Sequence, residues 1–201
     1  MSIVLKTPPA LEPITLAEAK AHLRVDVDFL DEDGYISGLI QAARATIEAL
    51  EWRSHITQTW ELRLDGFPGG NGSIYLPRPP LQLISSIQRL DANGAAQTVA
   101  PADYQVDAQS EPGRVQPAYG KIWPASRAST VNAVIVTYIA GYGSQAGNVP
   151  ARTKHAIKLL VGQWFENREW IVAGVTAARI PETIEALLLP VHSGRVLNCV
   201  A

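Results

Sequence analysis

Five carboxylates crowd one short stretch of the chain, Asp26, Asp28, Asp31, Glu32 and Asp33, and oxygen ligands at that density are what a divalent cation takes. Their spacing does not follow the D-x-[DN]-x-[DN]-G-x₅-E order of a calcium loop, so the run reads instead as solvated charge ahead of a helix, favourable to the positive end of its dipole. The four histidines, His22, His55, His155 and His192, stand singly. None forms the H-x-x-x-H or H-E-x-x-H pair that places two metal ligands on one helical face. Gly141-Tyr142-Gly143 is the segment most like a phosphate cradle, yet no Lys, Ser or Thr stands where a phosphate would be held, and a turn is expected there. No G-x-S-x-G elbow marks a serine nucleophile. The single cysteine, Cys199, excludes an internal disulfide and has no neighbouring His or basic residue to activate its thiol. No catalytic, cofactor-binding or metal-binding residue is assigned, and no cofactor is expected.

The elements that would position any site are readable from hydrophobic period. Thr15-Leu16-Ala17-Glu18 has the capping-box form and predicts a short helix to about Leu23. A second helix should follow Asp31 to Asp33. Its apolar positions Ile36, Leu39, Ile40, Ala43, Ile47 and Leu50 make one stripe at helical spacing. From Thr57 the period becomes two, with Trp60, Leu62 and Leu64 on one face of a strand. Further strands are expected at Ser73 to Leu76, Leu81 to Leu90, Tyr104 to Asp107 and Arg114 to Gln116. Pro77-Arg78-Pro79-Pro80 is a break, and Asp91-Ala92-Asn93-Gly94 a hairpin turn. Val131 to Ile139 is apolar on both faces and should be the most central strand. Pro150 opens a third helix with the stripe Ile157, Leu160, Val161, Trp164 and Phe165. Ile171 to Arg179 reads as a loop, and Pro181 starts a last short helix through Ile184, Leu187 and Leu188 that Pro190 stops. Trp164 and Phe165 read as core, whereas Trp170, beyond the point where the helix turns polar, is a candidate for packing against a neighbouring subunit. The fold class is α+β, with helices at both ends of the sequence enclosing a β-rich middle.

A chain of 201 residues can bury a substantial core, and 47% hydrophobic with 18% charged residues is a globular composition. No run approaches the roughly 18 to 20 apolar residues of a membrane span, so no membrane partner is expected, and the N-terminus lacks a signal peptide's apolar stretch. The net charge of −2 divides unevenly. Residues 1–56 carry five basic and nine acidic groups, 57–149 six of each, and 150–201 six basic and four acidic. A dense basic footprint for gripping phosphates is missing.

The order of short motifs carries more information than any one of them. Pro13-Ile14-Thr15-Leu16-Ala17-Glu18-Ala19-Lys20-Ala21-His22-Leu23-Arg24-Val25 comes first, followed by Asp31 to Glu48 with Ile40-Gln41-Ala42-Ala43-Arg44. Then come Gln58-Thr59-Trp60, Leu76-Pro77-Arg78-Pro79-Pro80-Leu81, Tyr104-Gln105-Val106-Asp107, Trp123-Pro124, Val136 to Gly143, Val149-Pro150, Arg168-Glu169 and Leu187-Leu188-Leu189-Pro190. In this collinear series the chain resembles the head-tail connector (adaptor) family of long-tailed phages and gene transfer agents, in its longer branch with a β-rich insertion. The resemblance implies a structural virion protein assembled in the bacterial host cytoplasm, a ring of about twelve copies beneath the portal, closed by head-to-tail contacts. It would extend the DNA channel, let DNA pass without specific binding, and join head to tail. The implied partners are other copies of itself, the portal, tail-side stopper or terminator proteins, and the capsid.

On this resemblance, residues 1–56 and 150–190 form a helical ring-forming core, 57–149 a β-rich insertion domain and 191–201 a C-terminal tail. The tail segment Val191, His192, Ser193, Gly194, Arg195, Val196 and Leu197 is implied to bind the portal, and Arg168, Glu169 and Trp170 are subunit-interface candidates. Two other readings stay open on sequence: a tail-completion protein of the stopper or terminator type, and a hydrolase whose site, paired carboxylates or a Ser/His pair, lies in the β region.

Overall fold

A computed structural model describes residues 1–127 and 129–168, together with Ile184, Leu187 and Leu188. The protein is α+β and falls into two compact units.

The first unit comprises Met1–Pro9 and Trp52–Tyr142. Its described residues form eight strands: β1 (Ser2–Thr7), β2 (Gln58–Leu64), β3 (Ile74–Leu76), β4 (Leu81–Leu90), β5 (Ala96–Thr98), β6 (Tyr104–Asp107), β7 (Gly113–Pro117) and β8 (Val134–Ala140). They pair antiparallel in a five-stranded sheet of order β1-β2-β8-β4-β5 and a three-stranded sheet of order β3-β7-β6. The register sets Trp60 opposite Tyr138 and Leu62 opposite Val136. Because side chains alternate along a strand, this pairing collects Trp60, Leu62, Val136 and Tyr138 on one buried face. Leu62, Ile87, Val134, Val136 and Tyr138 share a core with Ile74, Leu76 and Val115 of the smaller sheet. Tyr138 lies in it with its hydroxyl donating to the Pro77 carbonyl at 2.9 Å, and burial pushes its pKa up.

The expected central strand is central, hydrogen-bonded to β2 on one side and β4 on the other. It starts at Val134 rather than Val131, which is 74% exposed, and only one of its faces is fully buried. The other face, with Ile135, Thr137 and Ile139, is half-buried.

Two strands had no counterpart in the sequence reading. β5 is a three-residue strand exposed along its length. β1 is an edge strand whose Val4 and Leu5 are both exposed, so no alternation betrays it. Its backbone ladder to β2 places the first nine residues in the β unit, whereas the sequence reading set them with the helices.

The second unit runs over Ala10–Glu51 and resumes at Gly143, so the turn before the third helix also belongs with the helices rather than with the β region. It contains α1 (Leu16–Leu23), α2 (Asp33–Glu51) and α3 (Ala151–Glu166). The capping box is formed: the Glu18 amide donates to Thr15 Oγ1 at 3.1 Å and the Thr15 amide to the Glu18 carboxylate at 2.8 Å. That second bond is the main reason the Glu18 carboxyl lies below its ordinary pKa. Thr15→Ala should cost about 1 kcal/mol of unfolding free energy, measured by denaturant titration. The stability from the Glu18 contact should be present above its unfolded pKa and fade as pH falls through the lower folded value.

Ile36, Ile40, Ala43 and Ile47 of α2 are buried in one cluster with Ala156, Ile157, Leu160 and Val161 of α3. Ile184 and Leu188 join this core in helical conformation, on the expected last helix, and the rest of that helix lies outside the described residues. Trp164 and Phe165 pack on the same cluster, half-buried, as the stripe implied.

Candidate interaction surfaces

The connection between α1 and α2 carries the acidic run, and a buried cation organises it. Lys20, 3% exposed, donates from Nζ to the carbonyls of Val27 at 3.0 Å and Phe29 at 2.9 Å and pairs with the Asp33 carboxylate. An ammonium out of water needs such a set of oxygens to offset its lost hydration. The Phe29 and Asp33 amides close further turns onto the carbonyls of Asp26 and Leu30. So held, the connection presents Val27, Phe29 and Leu30 to solvent at 62%, 47% and 68% exposure, between exposed Asp26, Asp28 and Asp31. Sequence reasoning did not single out Lys20, because a lysine in a helix of mixed polarity shows nothing unusual until the loop folds over it.

Beyond this connection, Glu32 accepts from Arg168, whose guanidinium lies 4.7 Å from the Tyr35 ring centroid and 5.5 Å from that of Phe165. Arg168, a subunit-interface candidate, is thus an exposed residue engaged with its own chain. Glu169, Trp170 and the segment Val191 to Leu197 lie outside the described residues.

Across α1 and α3 basic side chains gather, Lys154 and Lys158 half-buried and His22 and His155 exposed. Lys158 Nζ lies 3.8 Å from Glu18, and Lys154 acts on the same carboxylate. The His22 imidazole sits against Gly162 and close enough to His155 and Lys158 to feel their charge. Burial first, and then those two neighbours, hold its pKa below the ordinary value.

The chemistry considered from sequence resolves into structural roles. At Gly141-Tyr142-Gly143 the Gly141 amide donates to the Pro80 carbonyl and the Tyr142 amide to the His55 carbonyl. Gln82 Nε2 donates to the Gly141 carbonyl at 2.8 Å. Amides committed in this way do not cradle a phosphate. In the β region every carboxylate of 57–149 accepts from a donor of the same chain. Lys6 and Arg63 hold Glu61, the Asn132 amide holds Asp65, and the Asn93 and Ala95 amides hold Asp91. Lys121 pairs with Asp103 and Arg53 with Glu111. Ser110, through hydroxyl and amide, and Arg114 bring Asp107 down to a pKa of about 2. A general acid needs a raised pKa, opposite to the shift at Asp107. Among the described residues no group of three or more His, Cys, Asp or Glu side chains is arranged to hold a metal ion.

Residues 13–109, which span α1, α2 and the strands β2 to β6, match the family of phage gp6-like head-tail connector proteins. A comparison with curated proteins gave no match. Among solved structures, a chain from the neck of an empty gene transfer agent particle, computed with C6 symmetry, is 25% identical with a TM-score of 0.76. The alignment covers 95% of each chain. A chain of the native gene transfer agent virion (24% identity, TM-score 0.75, 94% of both chains) has the same fold. So does one from the native particle's neck with C12 symmetry (24%, 0.75, 95% of this chain and 94% of that one).

The match to head-tail connector proteins covers residues 13–109, just under half of the chain, and it is to the same family that the ordered motifs resemble. The chain's full-length likeness is to neck chains of gene transfer agent particles, and the resemblance drawn from the ordered motifs is borne out.

Proposed function

We propose that this chain is a head-tail connector in the neck of a phage-like or gene transfer agent particle, where about twelve copies form a ring below the portal. The observation that carries the reading is a neck chain matched over 95% of both lengths, joined to a connector-family match across the first half of the sequence. Symmetry of C6 and C12 in the related necks supports a closed ring. The helical unit supplies the ring body, and the β unit is free for contacts with capsid or tail-side stopper and terminator proteins. A chain of net charge −2 suits a channel through which DNA slides, because it offers few cations to hold the phosphates. The segment Val191 to Ala201 engages the portal, ordering as it binds.

The test uses the full-length chain and a version lacking residues 191–201, each mixed with the portal of its particle. Native mass spectrometry should find a ring of about twelve subunits for the full chain. The truncated chain should keep its circular dichroism and lose portal binding. A full-length chain that forms no ring, alone or on the portal, would refute the assembly, and unchanged portal binding by the truncation would refute the role of the tail.

A further inference from the structure

The connection held by Lys20 is an exposed apolar tip with a carboxylate rim, built rigidly and left uncovered by the described residues. Val27, Phe29 and Leu30 together present more apolar side chain to water than an incidental surface residue does, and a fixed apolar protrusion of this kind marks a contact. Disposing of it by collapse onto the chain is prevented by the two carbonyl bonds to Lys20. Its rim carboxylates Asp26, Asp28 and Asp31 form no ion pair among the described residues, unlike Glu32 and Asp33, which are taken by Arg168 and Lys20.

The same helical unit carries the complementary charge elsewhere. Among the described residues, the α1 and α3 helices gather Lys154, Lys158, His22 and His155 around the carboxylate of Glu18. Among the described residues, that one carboxylate does not neutralise two ammonium groups. The depressed pKa of His22 reflects burial together with that unbalanced positive field.

We infer that, in the ring, the Asp26–Asp31 connection of one copy docks on the basic α1/α3 face of the next, Phe29 and Leu30 at the centre and the carboxylates opposite Lys154 and Lys158. This inference rests on the ring reading proposed above. Two unlike surfaces on one subunit make a heterologous contact, the kind that closes into a ring when the rotation permits. An apolar centre with a charged rim is also the ordinary anatomy of a protein interface, the rim setting register and partner choice.

Three full-length variants test it: Asp28→Lys/Asp31→Lys, Lys154→Glu/Lys158→Glu, and the chain with all four changes. Ring assembly is followed by native mass spectrometry and sedimentation, alone and on the portal. Each pair by itself should raise the concentration needed for assembly at least about tenfold, because like charges then face each other. The fourfold variant, with both faces reversed, should assemble near the wild-type concentration, a rescue that also shows the substituted chains fold. Wild-type rings with unaltered assembly in both pairs would overturn the contact and leave the ring reading standing. Failure of the folded fourfold variant to recover would overturn it as well. Absence of wild-type rings would sink the ring reading itself. If Lys154→Glu/Lys158→Glu abolished binding to duplex DNA while rings formed normally, the basic face would be a nucleic-acid surface and the inference would be wrong.

Discussion

Gly141→Ala is expected to lower the unfolding free energy by about 3 kcal/mol, the sum of a backbone and a packing cost. The residue sits at φ +132°, a conformation that a side chain strongly disfavours. A Cβ placed there would come 2.6 Å from the Ile56 carbonyl oxygen and 2.8 Å from the Thr57 nitrogen. Those are backbone atoms at the entry to β2, so relief requires moving the strand and not a side chain. The amide of Gly141 and its carbonyl are also engaged, with Pro80 and Gln82, which ties the turn to the end of β4. Denaturant titration should show a lowered midpoint with an unchanged slope. A midpoint within about 0.5 kcal/mol of wild type would mean the turn shifts freely. Were the glycines present to admit a phosphate, alanine would instead leave stability intact and reduce anion binding.

That turn shows what a sequence discloses and what it withholds. Gly141-Tyr142-Gly143 announces a constrained backbone between a strand and a helix, and the missing Lys and Ser/Thr argue against phosphate. The identity of the crowding atoms, from a segment some eighty residues earlier, is a tertiary fact. Capping at Thr15 and Glu18 and the α2 stripe were legible because their partners lie within four residues. β2 and β8 were legible because one of their faces is buried and the alternation survives. β1 was not, since an edge strand with five of its six residues exposed has little reason to alternate, and with it went the boundary of the β unit.

The functional surfaces divide the same way. The acidic run was visible as charge, and the helix it was expected to start begins at Asp33. Its rigidity was not visible, because the cation that holds it stands seven to thirteen residues away on another element. Arg168 was marked through its place in the motif series, and the structure shows it exposed yet engaged with Glu32, Tyr35 and Phe165 of its own chain.

Lys20→Met separates the stability of the helical unit from the rigidity of its acidic connection. Methionine keeps most of the lysine stem's volume, so the α1 packing survives, but the carbonyls of Val27 and Phe29 and the carboxylate of Asp33 lose their donor. Removing one partner of a buried pair commonly costs 3–5 kcal/mol, and since Asp33 is partly exposed and water can reach it, the lower end, about 3 kcal/mol, is expected. Adding Asp33→Asn should recover about 1 kcal/mol, because the orphaned charge is then gone. Both variants, however, lack the carbonyl bonds, so amide exchange at Phe29 and Asp33 should be faster in each. Ring assembly should weaken in both by a similar factor, since ordering a loose connection at the contact adds an entropic cost that the wild type does not meet. Stability and assembly would then respond differently to the second substitution, one partly restored and the other not. If assembly instead tracked global stability through the series, Lys20 would serve only to stabilise the fold, and the connection would need no pre-organisation to bind.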